Sequence, residues 1–139
     1  MSIYRRFGDH EFPSLVTSNI ANRTAIFSSE RAARLFIQIL HDVKLETDCD
    51  LIAFVVMPDH VHLVLRSTAT HSGKSGRLWQ SRYHERALRS ENELSAAIEY
   101  VQDNPVAAGL AGEASAFAWS SASGSCPTDL VAYLSQAKA

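Results

Sequence analysis

At 139 residues, with 46% hydrophobic content and a formal net charge of −2, the chain is sized and composed for one domain with a sizeable core. No apolar run approaches ~20 residues and no hydrophobic stretch follows Met1-Ser2-Ile3-Tyr4-Arg5-Arg6. The expectation is therefore a cytoplasmic protein with no membrane span and no signal peptide. Cys49 and Cys126 have neither metal-ligand spacing nor a disulfide-rich context and read as reduced structural thiols.

In chain order, Ser14-Leu15-Val16-Thr17-Ser18-Asn19-Ile20 reads as a first strand over 14–20. A helix over about 29–46 follows, with Ala32, Ala33, Leu35, Phe36, Ile39, Leu40 and Val43 assigned to its buried stripe. Two strands, about 50–57 and 60–66, flank the turn signal Met57-Pro58-Asp59 and form a hairpin. An apolar and aromatic run over 78–86 reads as a further strand. A helix over 91–103 carries Leu94, Ala97, Ile98 and Val101 at helical spacing, and Pro105 is expected to end it at Asn104. Small residues dominate from Ala107 onward, and Thr128-Asp129 offers a cap for a short C-terminal helix bearing Leu130, Val131, Tyr133 and Leu134. This order predicts an α+β fold, an antiparallel sheet with helices packed on one face. It is read as a single domain over 1–139, with its core at about 14–122 and a C-terminal segment at 123–139.

Chemistry concentrates at two places. In the second hairpin strand, alternation puts His60, His62 and Val64 on one face and Val61, Leu63 and Leu65 on the other. Side chains two apart on a strand lie about 6.5–7 Å from each other, so two imidazoles can converge on one metal ion. A half-buried strand that happens to carry two histidines is the equal alternative. On the following helix, Tyr100 and Asn104 are four residues apart and share a face. Taken alone they read as a half-buried aromatic and a helix-terminating residue.

Charge is unevenly spread. Residues 66–89 hold six cations (Arg66, Lys74, Arg77, Arg82, Arg86, Arg89) against one acid, Glu85, a local +5 that leaves −7 elsewhere. Trp79 and Tyr83 are interleaved with those cations. Cations for phosphates and rings for bases are what single-stranded DNA binding requires, against the plainer possibility of a solvated charged face around two core aromatics. Gly73-Lys74-Ser75 is no phosphate loop, because the glycine needed five positions earlier is Thr68.

Five ordered blocks resemble the REP-associated tyrosine transposases, a branch of the single-tyrosine, His-hydrophobic-His transposases that act on single-stranded DNA. They are Val16-Thr17-Ser18-Asn19 with Asn22-Arg23-Thr24-Ala25-Ile26-Phe27; Met57-Pro58-Asp59-His60-Val61-His62-Leu63; Leu78-Trp79-Gln80-Ser81-Arg82-Tyr83; Tyr100 through Leu110; and Trp119-Ser120-Ser121. The resemblance implies a ferredoxin-like fold. It also implies Tyr100 as nucleophile, and a Mg²⁺ or Mn²⁺ ion held by His60, His62 and Asn104 that polarises a phosphodiester oxygen. Imidazoles alone would also suit Zn²⁺. Attack by Tyr100 would leave a 5′-phosphotyrosyl enzyme and a free 3′-OH, so that hairpin-containing DNA could be cut and rejoined without ATP. The expected DNA contacts are Arg66, Lys74, Arg77, Trp79, Arg82, Tyr83, Arg86 and Arg89.

Two departures from the family stand out. Only residues 67–77 join the His strand to the Trp-Gln strand, where relatives carry a second long crossover helix, and Ala107 stands where they usually have arginine. A missing crossover helix would bare part of the sheet, to be covered by a second copy in a homodimer or by Leu130, Val131 and Leu134 folding back. The rival readings are a weak or inactive DNA-binding derivative of the family and a small zinc enzyme unrelated to DNA.

Overall fold

Strand β1 (Ser14–Asn19) is the centre from which the fold is read, because it pairs antiparallel on both sides. One neighbour is β3 (His60–Ser67) and the other is the short β4 (His84–Ala87). Strand β2 (Cys49–Val56) pairs with the far side of β3, which gives the order β2-β3-β1-β4. Two helices complete the architecture: α1 (Glu30–Glu46) between β1 and β2, and α2 (Glu91–Ala107) after β4. The computed structural model describes residues 12–47, 49–67, 84–124 and 128–129. Residues 78–83 of the expected 78–86 strand, residues 68–77 of the connection and residues 130–134 of the expected C-terminal helix lie outside those residues.

The α+β antiparallel architecture agrees with the sequence expectation, but the expectation of helices on one face does not hold. Val16, Leu51, Phe54, Val56, Val61, Leu63 and Leu65 pack with Ala33, Ile37 and Leu40 of α1. Ile52, Ala53, Val55, Met57 and Val64 pack with Leu94, Ala97 and Val101 of α2. Successive strand side chains point to opposite faces, so the helices lie on opposite faces of the sheet. The reason is legible in β2, whose residues from Leu51 to Val56 are all fully buried. A strand covered on both sides reads as a continuous apolar run rather than an alternating one. A register shift between Leu51 and Ala53 changes the phase of that run, sending Leu51 and Phe54 to one face and Ile52 and Ala53 to the other.

Ser29 caps α1 by accepting from the Ala32 N–H. The buried stripe is Ala33, Ile37 and Leu40, while Leu35, Ile39 and Val43, expected inside, are exposed. Both sets recur at helical spacing, and only the docking angle of the helix decides between them. Helix α2 is capped by Ser90, which accepts from the Glu93 N–H. It also runs past Pro105 instead of stopping before it. The stop comes at Gly109, whose φ of +76° suits a residue without a Cβ and whose N–H donates to the Val106 carbonyl. Leu110 N–H donates to the Pro105 carbonyl, closing the end of the helix.

Candidate active site

The hairpin turn that precedes His60 is held from two directions. Within the hairpin, Met57 N–H donates to the His60 carbonyl at 2.8 Å. From the loop after β1, Ile20 N–H donates to the Asp59 carbonyl (2.9 Å) and Phe27 N–H to the Pro58 carbonyl (3.0 Å). In that loop Asn22 and Arg23 both adopt left-handed backbone, with φ of 58° and 54°. For residues with a Cβ this conformation costs about 1–2 kcal/mol each. It turns the Arg23 guanidinium onto Asp59 (Nε to Oδ2, 3.0 Å) and onto Asn19 Oδ1 (2.9 Å).

His60 and His62 stand on the same face of β3, with ring centroids 4.9 Å apart. Tyr100 of α2 completes a row, its ring centroid 5.2 Å from that of His62. Each imidazole has its Nδ1 engaged. His60 Nδ1 lies 2.7 Å from Asp59 Oδ1, and His62 Nδ1 lies 2.8 Å from Thr17 Oγ1, on the residue directly opposite it in β1. His62 is 4% exposed, and burial, reinforced by the charge of His60, pushes its pKa down to about 4. It is therefore neutral at neutral pH, the form that binds a cation. The Asp59 carboxyl is held below its ordinary value, first by the hydrogen bond from His60 and then by the Arg23 guanidinium.

Tyr100 and Asn104 flank the buried Ala97–Val101 stripe of α2, Tyr100 being 52% exposed. They line an open cleft of about 300 Å³ with Ala96, Glu99, Asp103 and Ala107. Asn104 is helical, not a terminating residue, and so keeps its place one turn from Tyr100. The structure thus brings His60, His62 and Tyr100 into one row, with Asn104 beside the tyrosine. Among the described residues no cluster of three or more His, Cys, Asp and Glu is placed to hold a metal ion. A site here would rest on the two imidazoles and an amide oxygen, and the shared engagement of Nδ1 leaves Nε2 of both rings for that purpose.

Of the expected DNA contacts, Arg66 is a correction. It is 5% exposed, and its Nε and Nη2 both donate to Asp50 Oδ2, at 3.2 and 2.6 Å. It faces neighbouring β2 in an ion pair with the partly buried Asp50 and is not presented to a phosphate. Arg86 is exposed on β4, opposite Leu15, so its side chain shares the sheet face that carries His60 and His62. Arg89 is exposed next to the Phe12 ring, 6.0 Å from its centroid. Lys74, Arg77, Trp79, Arg82 and Tyr83 lie outside the described residues. Sequence reasoning passed over Thr17, Arg23 and Asp59 as functional residues. Thr17 becomes visible only through strand register, whereas Asp59 adjoins the histidines and could have been weighed as their partner.

The four-stranded antiparallel sheet thus carries paired histidines on an inner strand, faced by a tyrosine on a helix. Residues 15–75 match the family described as "Transposase IS200 like". The chain is similar to the REP-associated tyrosine transposase of Escherichia coli (strain K12), at 25% identity over 122 residues, covering 76% of this chain and 73% of that protein. Its fold matches a solved structure described as the REP-associated tyrosine transposase bound to a REP hairpin, with a TM-score of 0.66 and 24% identity over 87% of this chain and 82% of that one. No helix among the described residues is long and apolar enough to cross a membrane.

Proposed function

We propose that this protein is a transposase of single-stranded, hairpin-containing DNA that cuts and rejoins its substrate through a 5′-phosphotyrosine at Tyr100. The observation that carries the reading is the row of rings His60, His62 and Tyr100, assembled from a strand and a helix on the same sheet face. In this reading the Tyr100 hydroxyl oxygen bonds to phosphorus and gives up its proton to solvent. The P–O3′ bond breaks, and the departing oxygen takes a proton to become a free 3′-OH. Attack by that hydroxyl on the phosphotyrosine reverses the step, so no nucleotide hydrolysis is needed.

His60 and His62, with Asn104, would hold a Mg²⁺ or Mn²⁺ ion, which when bound supplies positive charge to the phosphate oxygens. Glu99 and Asp103 share the cleft with Tyr100. Two carboxylates there repel a bare phosphodiester, and a cation held nearby offsets them. The exposed Arg86, on the sheet face of the histidines, suits a contact to the backbone of the DNA strand.

The test is incubation with labelled single-stranded hairpin DNA and Mg²⁺ or Mn²⁺, followed by denaturing electrophoresis. A denaturant-stable protein–DNA adduct is expected from the wild type, and none from Tyr100→Phe, whose DNA affinity should be nearly unchanged because the ring remains. Binding without any adduct would favour the inactive DNA-binding derivative. Undiminished cleavage by Tyr100→Phe would remove that residue from the mechanism.

A further inference from the structure

We infer that Asp59, braced by Arg23, fixes the His60 ring in the tautomer that carries its proton on Nδ1 and leaves Nε2 as the lone-pair nitrogen. The inference builds on the reading of His60 as a cation ligand, but it concerns the protein before any cation binds. A carboxylate accepts hydrogen bonds and cannot donate, so the 2.7 Å contact between Asp59 Oδ1 and His60 Nδ1 requires the proton to be on nitrogen. The second carboxylate oxygen accepts from Arg23 Nε at 3.0 Å, which favours the orientation of Asp59 that faces His60. Arg23 is itself tied to Asn19 Oδ1 at 2.9 Å, and its loop is joined to the hairpin turn through Ile20 N–H and Phe27 N–H. The left-handed pair Asn22 and Arg23 is the backbone conformation that this arrangement sustains.

The neighbouring ring is held differently. Thr17 Oγ1, 2.8 Å from His62 Nδ1, is a hydroxyl that can donate or accept. It fits either tautomer of His62 by rotating its proton. One histidine is therefore preset and the other adapts. Carboxylate partners of ligating histidines orient the ring and raise its basicity, and removing such a partner typically costs 10–100-fold in metal affinity. Asp59 and Arg23 are thus positioning residues that act through His60.

Long-range ¹H–¹⁵N NMR of the full, EDTA-treated chain at mildly alkaline pH, where imidazoles are neutral, reads the tautomer directly. Wild-type His60 is expected as Nδ1–H. Asp59→Ala should convert it to a mixture of tautomers, Asp59→Asn should retain Nδ1–H because its amide carbonyl still accepts, and Arg23→Gln should fall between them. Mn²⁺ binding followed by electron paramagnetic resonance should weaken about 10–100-fold in Asp59→Ala and only slightly in Asp59→Asn. His60 found as Nε2–H in the wild type, or as unchanged Nδ1–H in Asp59→Ala, would overturn the inference. If Asp59→Ala does not fold, the wild-type spectrum and Arg23→Gln still decide it. A wild type with the expected tautomer that binds no Mn²⁺ would instead count against the cation reading of the site.

Discussion

Acidification of the metal-free protein should unfold it partly through His62. Its imidazole has a pKa of about 4 in the fold against an ordinary 6.5. At 1.36 kcal/mol per pH unit, keeping it neutral over that interval amounts to about 3 kcal/mol. Because the folded value is depressed, the unfolded chain binds the proton first. The stabilisation is therefore complete above about pH 6.5 and drains away as pH falls toward 4. Against a typical total of 5–15 kcal/mol this is a large share. Urea unfolding in EDTA, compared at each pH with His62→Gln, isolates the effect: the wild type should lose about 3 kcal/mol relative to the variant between pH 6.5 and 4. Asp59 contributes in the opposite charge sense and at lower pH, its carboxylate stabilising above its ordinary value of 3.8 and losing that effect only below it. Burial is the larger cause of the His62 shift and the charge of His60 the smaller, so His60→Gln should remove only the smaller part. Parallel stability curves for wild type and His62→Gln would refute the argument.

If His60 and His62 hold the proposed cation, His60→Ala and His62→Ala should lose DNA cleavage while circular dichroism shows the fold retained; wild-type cleavage that persists in EDTA would contradict this. Arg66→Ala strands the Asp50 carboxylate and should lower unfolding free energy by about 2–3 kcal/mol in urea titrations, with DNA affinity in filter binding little changed. If Arg86 contacts a phosphate, Arg86→Ala should make the slope of log K against log salt shallower by about 0.7, and an unchanged slope would place the DNA path elsewhere.

Local pattern carried the elements well. The alternation in His60–Leu65, the Met57-Pro58-Asp59 turn and the starts of the two helices near residues 29 and 91 are short-range signals, and each lies where the sequence puts it. What escaped depends on contacts between distant segments. Leu35 and Ile39 look as suited to a core as Ile37 and Leu40, and only docking onto the sheet separates them. Arg66 lies in a basic stretch, yet its partner Asp50 sits across a strand pairing that charge counting cannot see. Pro105 reads as a helix stop because of its local cost, but the helix continues to Ala107 and the turn away from it comes at Gly109. Of the candidate site, His60, His62, Tyr100 and Asn104 stand out in the sequence, while Thr17 and Arg23 come from a strand and loop some forty residues earlier in the chain than their partners and enter only through pairing.

The order β2-β3-β1-β4 places the histidine strand between two others, hydrogen-bonded along both edges. Amide protons in such a strand exchange with solvent only when a large part of the molecule opens, so β3 belongs to the cooperative unit that unfolds last. Tyr100, by contrast, stands half exposed on a helix that packs over β2 and β3. Slow exchange at His62 with faster exchange along α2 would mean that the histidine pair is lost only with global unfolding, while Tyr100 can shift without disturbing the framework beneath it.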